Sequence, residues 1–490
     1  MSATVGSRAV SGLRWTLINT AGERILSFGT TMVLARMLDP EHFGLYALAF
    51  VVIDTFQILK NLGLDAAIIQ RRDRVEEAAD TAFLVLPFIG LALFGLLFVL
   101  APLAAHALGN PEVGRPLQAL GAVLILRSIG NVPAALIQKQ MRFDIRTIAN
   151  LTGMVIYMAI AVTLARRGWG VWSLVVGYLV RWLVTVILQW VMLGWVPRWR
   201  FDKALLKEMV HFSKYVVATW LVSLFMMNVD KISVGRWMGA AQLGYYTLCL
   251  GLANIMVTQL SGQIYQVAFP AFSQAYGSPE LMRRGLIKVM KYLSLCAMPF
   301  GLLLSMAPSD ILHVAYGPQW VVAAPLLQVL AFGGVLQTLR LGLEPVQLGG
   351  GYSKTVFMLN VLQLILLTVG AVIMARQRSP LGVAWAVVVA AFIPLVINLQ
   401  IVLGQVGLKA FDFFAHLKPV VLSSLMMAGV MFFIVHFRAQ LGIWAQSPLI
   451  WIISLGITSL TVYGAGLMLW DRAIARELFH LIRPPAETAA

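Results

Sequence analysis

Nine charged side chains lie inside stretches of this chain that are otherwise almost wholly apolar. Arg24, Arg127, Arg181, Lys231 and Arg340 are cations, and Glu23, Asp54, Asp230 and Glu344 are acids. Even low estimates put a charge at the centre of a bilayer at about 2.5–3.5 kcal/mol, so each must face protein or water. Arginine presents a planar fork that meets phosphate or pyrophosphate oxygens through paired charge-assisted hydrogen bonds. At about 1.5 Å per residue from an outer marker at Arg36, Arg24 lies roughly 18 Å deep. Arg127 and Arg181 fall at similar depth, counted from outer ends at Arg115 and Trp169. Three arginines at one level suggest the wall of an anion-binding cavity, to which Arg340 and Lys231 add. The alternative is internal neutralisation, with the acids pairing with the bases to fix helix packing. Asp54 and Asp230 suit a third role, holding a proton or a sodium ion.

Such residues need elements long enough to carry them across a membrane. The chain has 490 residues, 60% hydrophobic and 12% charged, which leaves lipid as its solvent. Runs of about 20 apolar residues span a bilayer as helix, and fourteen are expected. Six run Leu13 to Met37, Phe43 to Leu64, Thr81 to Leu108, Pro116 to Ile137, Ile145 to Ala165 and Trp169 to Val196. Six more run Tyr215 to Trp237, Gly244 to Phe269, Val289 to Ala307, Val322 to Leu348, Thr355 to Ala375 and Leu381 to Leu403. Two remain, Pro419 to Phe437 and Leu449 to Leu469. Segments this long exclude the short alternating strands of a barrel. The fold class is therefore an all-α integral membrane protein.

The chain is also built twice. Arg36 and Phe43-Gly44-Leu45-Tyr46 return 200 positions later as Arg236 and Leu243-Gly244-Tyr245-Tyr246, and Asp54 aligns with Asn254. Arg71-Arg72 match Arg283-Arg284, and Gly170-Val171 match Gly382-Val383, after a short insertion in the second copy. Six spans per copy make the repeats parallel, related by an axis along the membrane normal. The expected organisation is a six-helix lobe at 13–196, a linker at 197–214, a second lobe at 215–403, two further helices within 419–469 and a tail at 470–490. Within the linker, Phe201, Leu205, Leu206, Met209 and Phe212 recur at helical spacing, which predicts a helix lying in the cytoplasmic interface.

The net charge of +16 follows the membrane, not nucleic acid. Lys and Arg cluster at one set of helix ends, as at Lys60 to Arg74, Arg198 to Lys214 and Arg283 to Lys291, while the opposite ends carry few. The positive-inside rule places both termini in the cytoplasm. The first apolar stretch holds Glu23-Arg24 and no cleavage pattern follows it, so it is expected to remain as a membrane helix. Cys249 and Cys296 suit packing, and the seven histidines form no i, i+4 metal pair, so neither a metal site nor a cofactor is indicated. The external loops are too short for a sizeable catalytic domain, which argues against a membrane polymerase or ligase.

Leu34-Ala35-Arg36-Met37-Leu38-Asp39-Pro40-Glu41-His42-Phe43-Gly44-Leu45-Tyr46 and Asn228-Val229-Asp230-Lys231, leading to Gly235-Arg236, resemble the Wzx-type polysaccharide flippases, especially the WzxC-like branch. Tyr316-Gly317-Pro318-Gln319-Trp320 with Ala323-Ala324-Pro325-Leu326-Leu327 resembles the start of that family's tenth helix. The resemblance implies a member of the multidrug/oligosaccharidyl-lipid/polysaccharide exporter superfamily in a bacterial inner membrane. It implies a cargo of undecaprenyl-pyrophosphate-linked oligosaccharide for exopolysaccharide, capsule or O-antigen synthesis, moved from the cytoplasmic to the periplasmic leaflet by alternating access. Its partners would be this lipid-linked cargo, membrane lipids, and the polymerase or export proteins of the pathway. Small-molecule export within the same superfamily is the runner-up, and a non-transporting scaffold is a further alternative.

Overall fold

The computed structural model describes residues 2–61, 64–71, 73–258, 262–437 and 447–471. Most of the expected tail falls outside them. The described residues are almost entirely helical. In the first half these are α1 (Ser2–Ala35), α2 (Pro40–Asn61), α3 (Leu64–Gln70), α4 (Val75–Ala107), α5 (Gly114–Leu120), α6 (Ala122–Lys139), α7 (Phe143–Arg166), α8 (Val171–Leu193) and α9 (Lys203–Met238). The second half holds α10 (Ala240–Ala253), α11 (Gly262–Ala275), α12 (Pro279–Met306), α13 (Pro308–Ala315), α14 (Ala324–Gly342), α15 (Glu344–Gly349), α16 (Ser353–Arg376), α17 (Pro380–Gln405), α18 (Ala410–His436) and α19 (Pro448–Trp470).

Ten helical stretches among the described residues are long and apolar enough to cross a membrane. Large apolar side chains such as Phe88, Val99 and Leu103 on α4 and Phe432 and Phe433 on α18 point outward. That is the arrangement a lipid solvent requires, because exposing them there has no hydrophobic cost. The expected spans outside this set are α1, α2, α9 and the α10/α11 pair, which are the first two of each copy. They are also the spans that carry Glu23, Arg24, Asp54, Asp230 and Lys231.

The chain divides into two compact units, residues 1–244 and 245–490. In the first, α1 packs on α7, α7 on α8, α6 against both α4 and α8, and α2 on α9. In the second, α17 packs on α14 and α16, and α12 on α14 and α18, while α18 and α19 pair. Their cores include Leu343, Val346, Val402 and Phe413 in one cluster and Val420, Met427, Met431 and Leu455 in another. Helix α9, which repeat spacing assigns to the second copy, packs with the first unit.

The amphipathic stretch at 201–212 is not a separate interfacial helix but the opening turns of α9. No Gly or Pro interrupts the chain from Lys203 to Val234, and Leu205 and Met209 are buried in a cluster with Leu64, Ile68, Ala79 and Leu86. Asp202 caps this helix, its Oδ1 accepting from the backbone N–H of Ala204 at 2.9 Å and of Leu205 at 3.0 Å. The preceding linker is strapped to α4: Arg198 N–H donates to Asp80 Oδ1 at 2.9 Å, and Arg74 Nη2 lies 2.6 Å from Asp202 Oδ2. The N–H of Leu205, followed by the Arg74 guanidinium, holds the Asp202 carboxyl below the usual carboxylate range. Two expected spans carry a local interruption, although Pro318–Gly349 is still one stretch long and apolar enough to cross a membrane. The helix from Ala324 stops at Leu343, because Pro345 cannot supply the N–H that would continue the ladder, and α10 gives way at Asn254. There Gly334 on α14 comes so close to the Ala253 carbonyl that a Cβ would collide with it.

The duplicated Phe-Gly-Leu and Leu-Gly-Tyr motifs have a physical meaning. A Cβ on Gly44 would strike the Ala240 carbonyl, and a Cβ on Gly244 would strike the Pro40 carbonyl. Residues 40 and 240 are themselves one repeat apart. Each copy's glycine thus lets the start of α2 and the start of α10 approach within backbone contact, in a reciprocal pair.

Candidate substrate head-group site

The charged residues singled out in the first unit lie on five helices. Glu23 and Arg24 stand on α1, Asp54 on α2, Arg127 on α6, Arg181 on α8 and Lys231 on α9, all half-buried. Arg181 Nη2 is 3.8 Å from Glu23 Oε1, a loose ion pair with both side chains partly exposed. Asp54 on α2 is near enough to Lys231 on α9 and Arg127 on α6 to sense their charges. Lys231 Nζ donates to Asn228 Oδ1 at 3.1 Å, while buried Asp230 accepts the backbone N–H of Lys231 at 2.8 Å.

Aromatic side chains complete this set. The Arg127 guanidinium lies 4.3 Å from the centroid of the Trp182 ring, which also receives Arg181 at 5.9 Å. Tyr178 meets Trp182, Tyr46 and Phe50 edge-on at centroid distances of 6.4, 6.4 and 5.4 Å. Gly177 leaves room for the Tyr157 ring, which its Cβ would approach to 2.9 Å. A guanidinium stacked on an indole keeps its in-plane N–H groups available, because the ring takes only its face.

Gln57 Nε2, Asn131 Nδ2 and Trp182 Nε1 are buried donors of the same unit without a hydrogen-bond acceptor. Helix periodicity puts Gln57 one turn beyond Asp54 and Asn131 one turn beyond Arg127, so both share the faces that carry those charges. Buried donors are nearly always satisfied, so unmet ones beside cations mark a place suited to an acceptor-rich, anionic group. Pairing donors with arginines in this way suits phosphate oxygens and sugar hydroxyls alike. Sequence reasoning missed Trp182, Tyr178, Gln57 and Asn131. The signal available was the i, i+4 spacing of Arg127 and Asn131 and the adjacency of Arg181 and Trp182.

Arg340 and Glu344 belong to the second unit. Arg340 is 1% exposed, and its Nη1 contacts Glu344 Oε1 at 3.2 Å and Asn360 Oδ1 at 3.0 Å, while Nε donates to Gln337 Oε1 at 3.3 Å. Gln363 donates to that same Gln337 oxygen at 2.9 Å, and Gln347 Nε2 to Asn398 Oδ1 at 2.9 Å. This is a polar knot tying α14, α15, α16 and α17 together.

The described fold, with its two helical units and a cationic, aromatic-lined set of charges within apolar helices, is that of a multi-pass membrane transporter. A solved structure of the lipid II flippase MurJ in an inward closed conformation shares it, with a TM-score of 0.75 over 95% of this chain and 100% of that one, at 14% identity. An inward-facing multidrug resistance MATE family transporter of the MOP superfamily aligns with a TM-score of 0.63 over 79% of this chain and 94% of that one, at 15% identity. At such identity these likenesses concern the fold alone. Residues 33–325 match the family described as polysaccharide biosynthesis protein, and the chain belongs to that family. Its relatives include the teichuronic acid biosynthesis protein TuaB of Bacillus subtilis, 26% identical over 89% of this chain and 92% of that protein. The succinoglycan biosynthesis transport protein ExoT of Rhizobium meliloti is 24% identical over 100% of this chain and 99% of its own length. The lipopolysaccharide biosynthesis protein WzxC of Escherichia coli is 23% identical over 85% and 82%.

Proposed function

We propose that this protein is a flippase for undecaprenyl-pyrophosphate-linked oligosaccharide, moving it from the cytoplasmic to the periplasmic leaflet of a bacterial inner membrane, with both termini in the cytoplasm. The supporting observation is the stacked pair of arginines around Trp182 with unmet buried donors on the same helix faces. Arg127, Arg181 and Arg24 bind the pyrophosphate, and Lys231 supplements them. The aromatic chain of Tyr46, Phe50, Tyr178 and Trp182 offers flat surfaces to the first sugars. The polyprenyl tail stays in lipid, where it costs nothing to leave it. Asp54 and Asp230 are the groups through which a proton or sodium gradient acts on the same cations, so that cargo and coupling ion are bound by one electrostatic set. Family membership and relatives named for polysaccharide export and synthesis favour this cargo over small molecules.

The test is reconstitution in liposomes with a fluorescent lipid-linked oligosaccharide whose outward fraction is read by an impermeant quencher. Arg127→Gln and Arg24→Ala should each slow flipping strongly at equal protein content. Normal flipping by both would sink the head-group assignment, and transport of a soluble drug without flipping would favour small-molecule export. Reporter fusions at each terminus check the orientation.

A further inference from the structure

We infer that the second unit carries a separate site for an anionic phospholipid of the surrounding leaflet, in a groove between α11 and α12. The groove has a volume of about 990 Å³ and is lined by Ile264, Val267, Ala271, Phe272 and Val289 among others. It lies at the upper end of the ~300–1,000 Å³ range of small-molecule sites. Its walls are mostly apolar, with Gln263 and Gln274 among them, and Lys288 and Tyr292 belong both to it and to a second pocket of about 280 Å³. That second pocket adds Arg284, Lys291 and His416. An apolar groove thus shares the edge formed by Lys288 and Tyr292 with a basic cup, which is the polarity of a phospholipid in miniature.

The charge count selects the ligand. Arg284 Nε is committed to Glu280 Oε1 at 2.8 Å, and Lys291 Nζ to Asp471 Oδ2 at 2.7 Å. Lys288 is paired with no carboxylate among the described residues, and its ammonium sits 5.9 Å from the Tyr292 ring. Arg283 shares the Glu280 carboxylate with Arg284, so with Lys288 this end carries excess positive charge, which suits the negative phosphodiester of an anionic phospholipid. Basic pockets between membrane helices near the surface are suited to such head groups. Gly285 contributes at the groove wall by letting the Phe272 ring lie against α12, where a Cβ would come within 2.7 Å of it.

The site is independent of the cargo site and is tested without flipping. The full-length protein, stripped of lipid by detergent exchange, is titrated with phosphatidylglycerol and with phosphatidylcholine, and bound lipid is counted by native mass spectrometry. Tighter binding of phosphatidylglycerol is expected. Lys288→Gln, at an exposed position, should weaken that binding about fivefold, the effect of one surface cation, and leave phosphatidylcholine unaffected. Ala271→Trp should fill the groove and lower occupancy by both lipids. Arg127→Gln should leave phosphatidylglycerol binding unchanged while impairing flipping, which separates the two sites. Equal affinity for the two lipids, no effect of Lys288→Gln, or displacement of phosphatidylglycerol by lipid-linked pyrophosphate at stoichiometric amounts would each overturn the assignment.

Discussion

Arg340 lies 213 residues after Arg127, close to the repeat offset of 212, yet the surroundings of the two arginines differ in kind. Arg127 is half-buried, rests on the face of Trp182 and neighbours donors that lack acceptors. Arg340 is 1% exposed and is held by the side-chain oxygens of Gln337, Glu344 and Asn360. Arg340 is a fastener, because its Nε and Nη1 already hold three acceptors and only its Nη2 is left unmet. An arginine surrounded by rings and other donors keeps its hydrogen bonds for something else. Each copy carries an arginine near this offset, and the neighbours decide what each one does. In this reading the second unit anchors α14 to α17 while the first holds the head group.

The largest expected effect breaks the fastener. Arg340→Met leaves the Glu344 carboxylate buried without its partner, and removal of one member of a buried pair costs about 3–5 kcal/mol. Denaturant titration in mixed micelles should show that loss, and adding Glu344→Gln should recover most of it. A stable Arg340→Met protein that cannot flip would instead make Arg340 a cargo residue and abolish the contrast. Next comes Arg127→Gln, which should leave stability nearly intact. Loss of a hydrogen bond to a charged group, worth about 1.5–3 kcal/mol, should weaken head-group affinity roughly ten- to a hundredfold, read by competition with a soluble pyrophosphate analogue.

Much of the fold was legible because lipid solvation writes itself into composition: runs from Thr81 to Val196 and from Val289 to Leu469 map onto helices long and apolar enough to cross a membrane. The departures have local causes. Pro345 divides α14 from α15, and the absence of a breaker after Asp202 lets the expected linker helix run on into α9. The site was half legible. Charge in an apolar helix is visible in a sequence, so Arg24, Arg127 and Arg181 could be picked out, and the rings bring Arg127 and Arg181 to one indole. What each charge faces is not visible, because it depends on rotations of helices distant in sequence. Trp182 could be core or cation platform, and only its 4.3 Å approach to Arg127 distinguishes them. The glycine pair at Gly44 and Gly244 is a similar case: repetition announced it, but only the opposing carbonyls of Ala240 and Pro40 explain it.

A smaller effect separates the ring from its donor. Trp182→Leu removes a cation–π contact worth about 0.5–2 kcal/mol, so head-group affinity should fall roughly two- to thirtyfold. Trp182→Phe keeps a ring under Arg127 but loses Nε1–H, and it should sit between wild type and the leucine variant. If phenylalanine behaves like leucine, the indole N–H rather than the ring serves the cargo.

The smallest effect concerns the same chemistry in water. Arg74 and Asp202 pair at the surface, where an ion pair is screened and solvated from the start. The carboxyl of Asp202 is held below its ordinary value, so its stabilising contribution is complete above about pH 3.9, the unperturbed aspartate value, and disappears as pH falls through the depressed one. Amide exchange at Ala204 and Leu205, whose N–H groups Asp202 accepts, should therefore be slow at neutral pH and accelerate only in strong acid, beyond the intrinsic pH dependence of exchange. Asp202→Ala should give the faster exchange at neutral pH while flipping continues at the wild-type rate. A large flipping defect in that variant would mean that the strap between the linker and α4 takes part in transport, and that surface pairs here belong with the fasteners of the second unit.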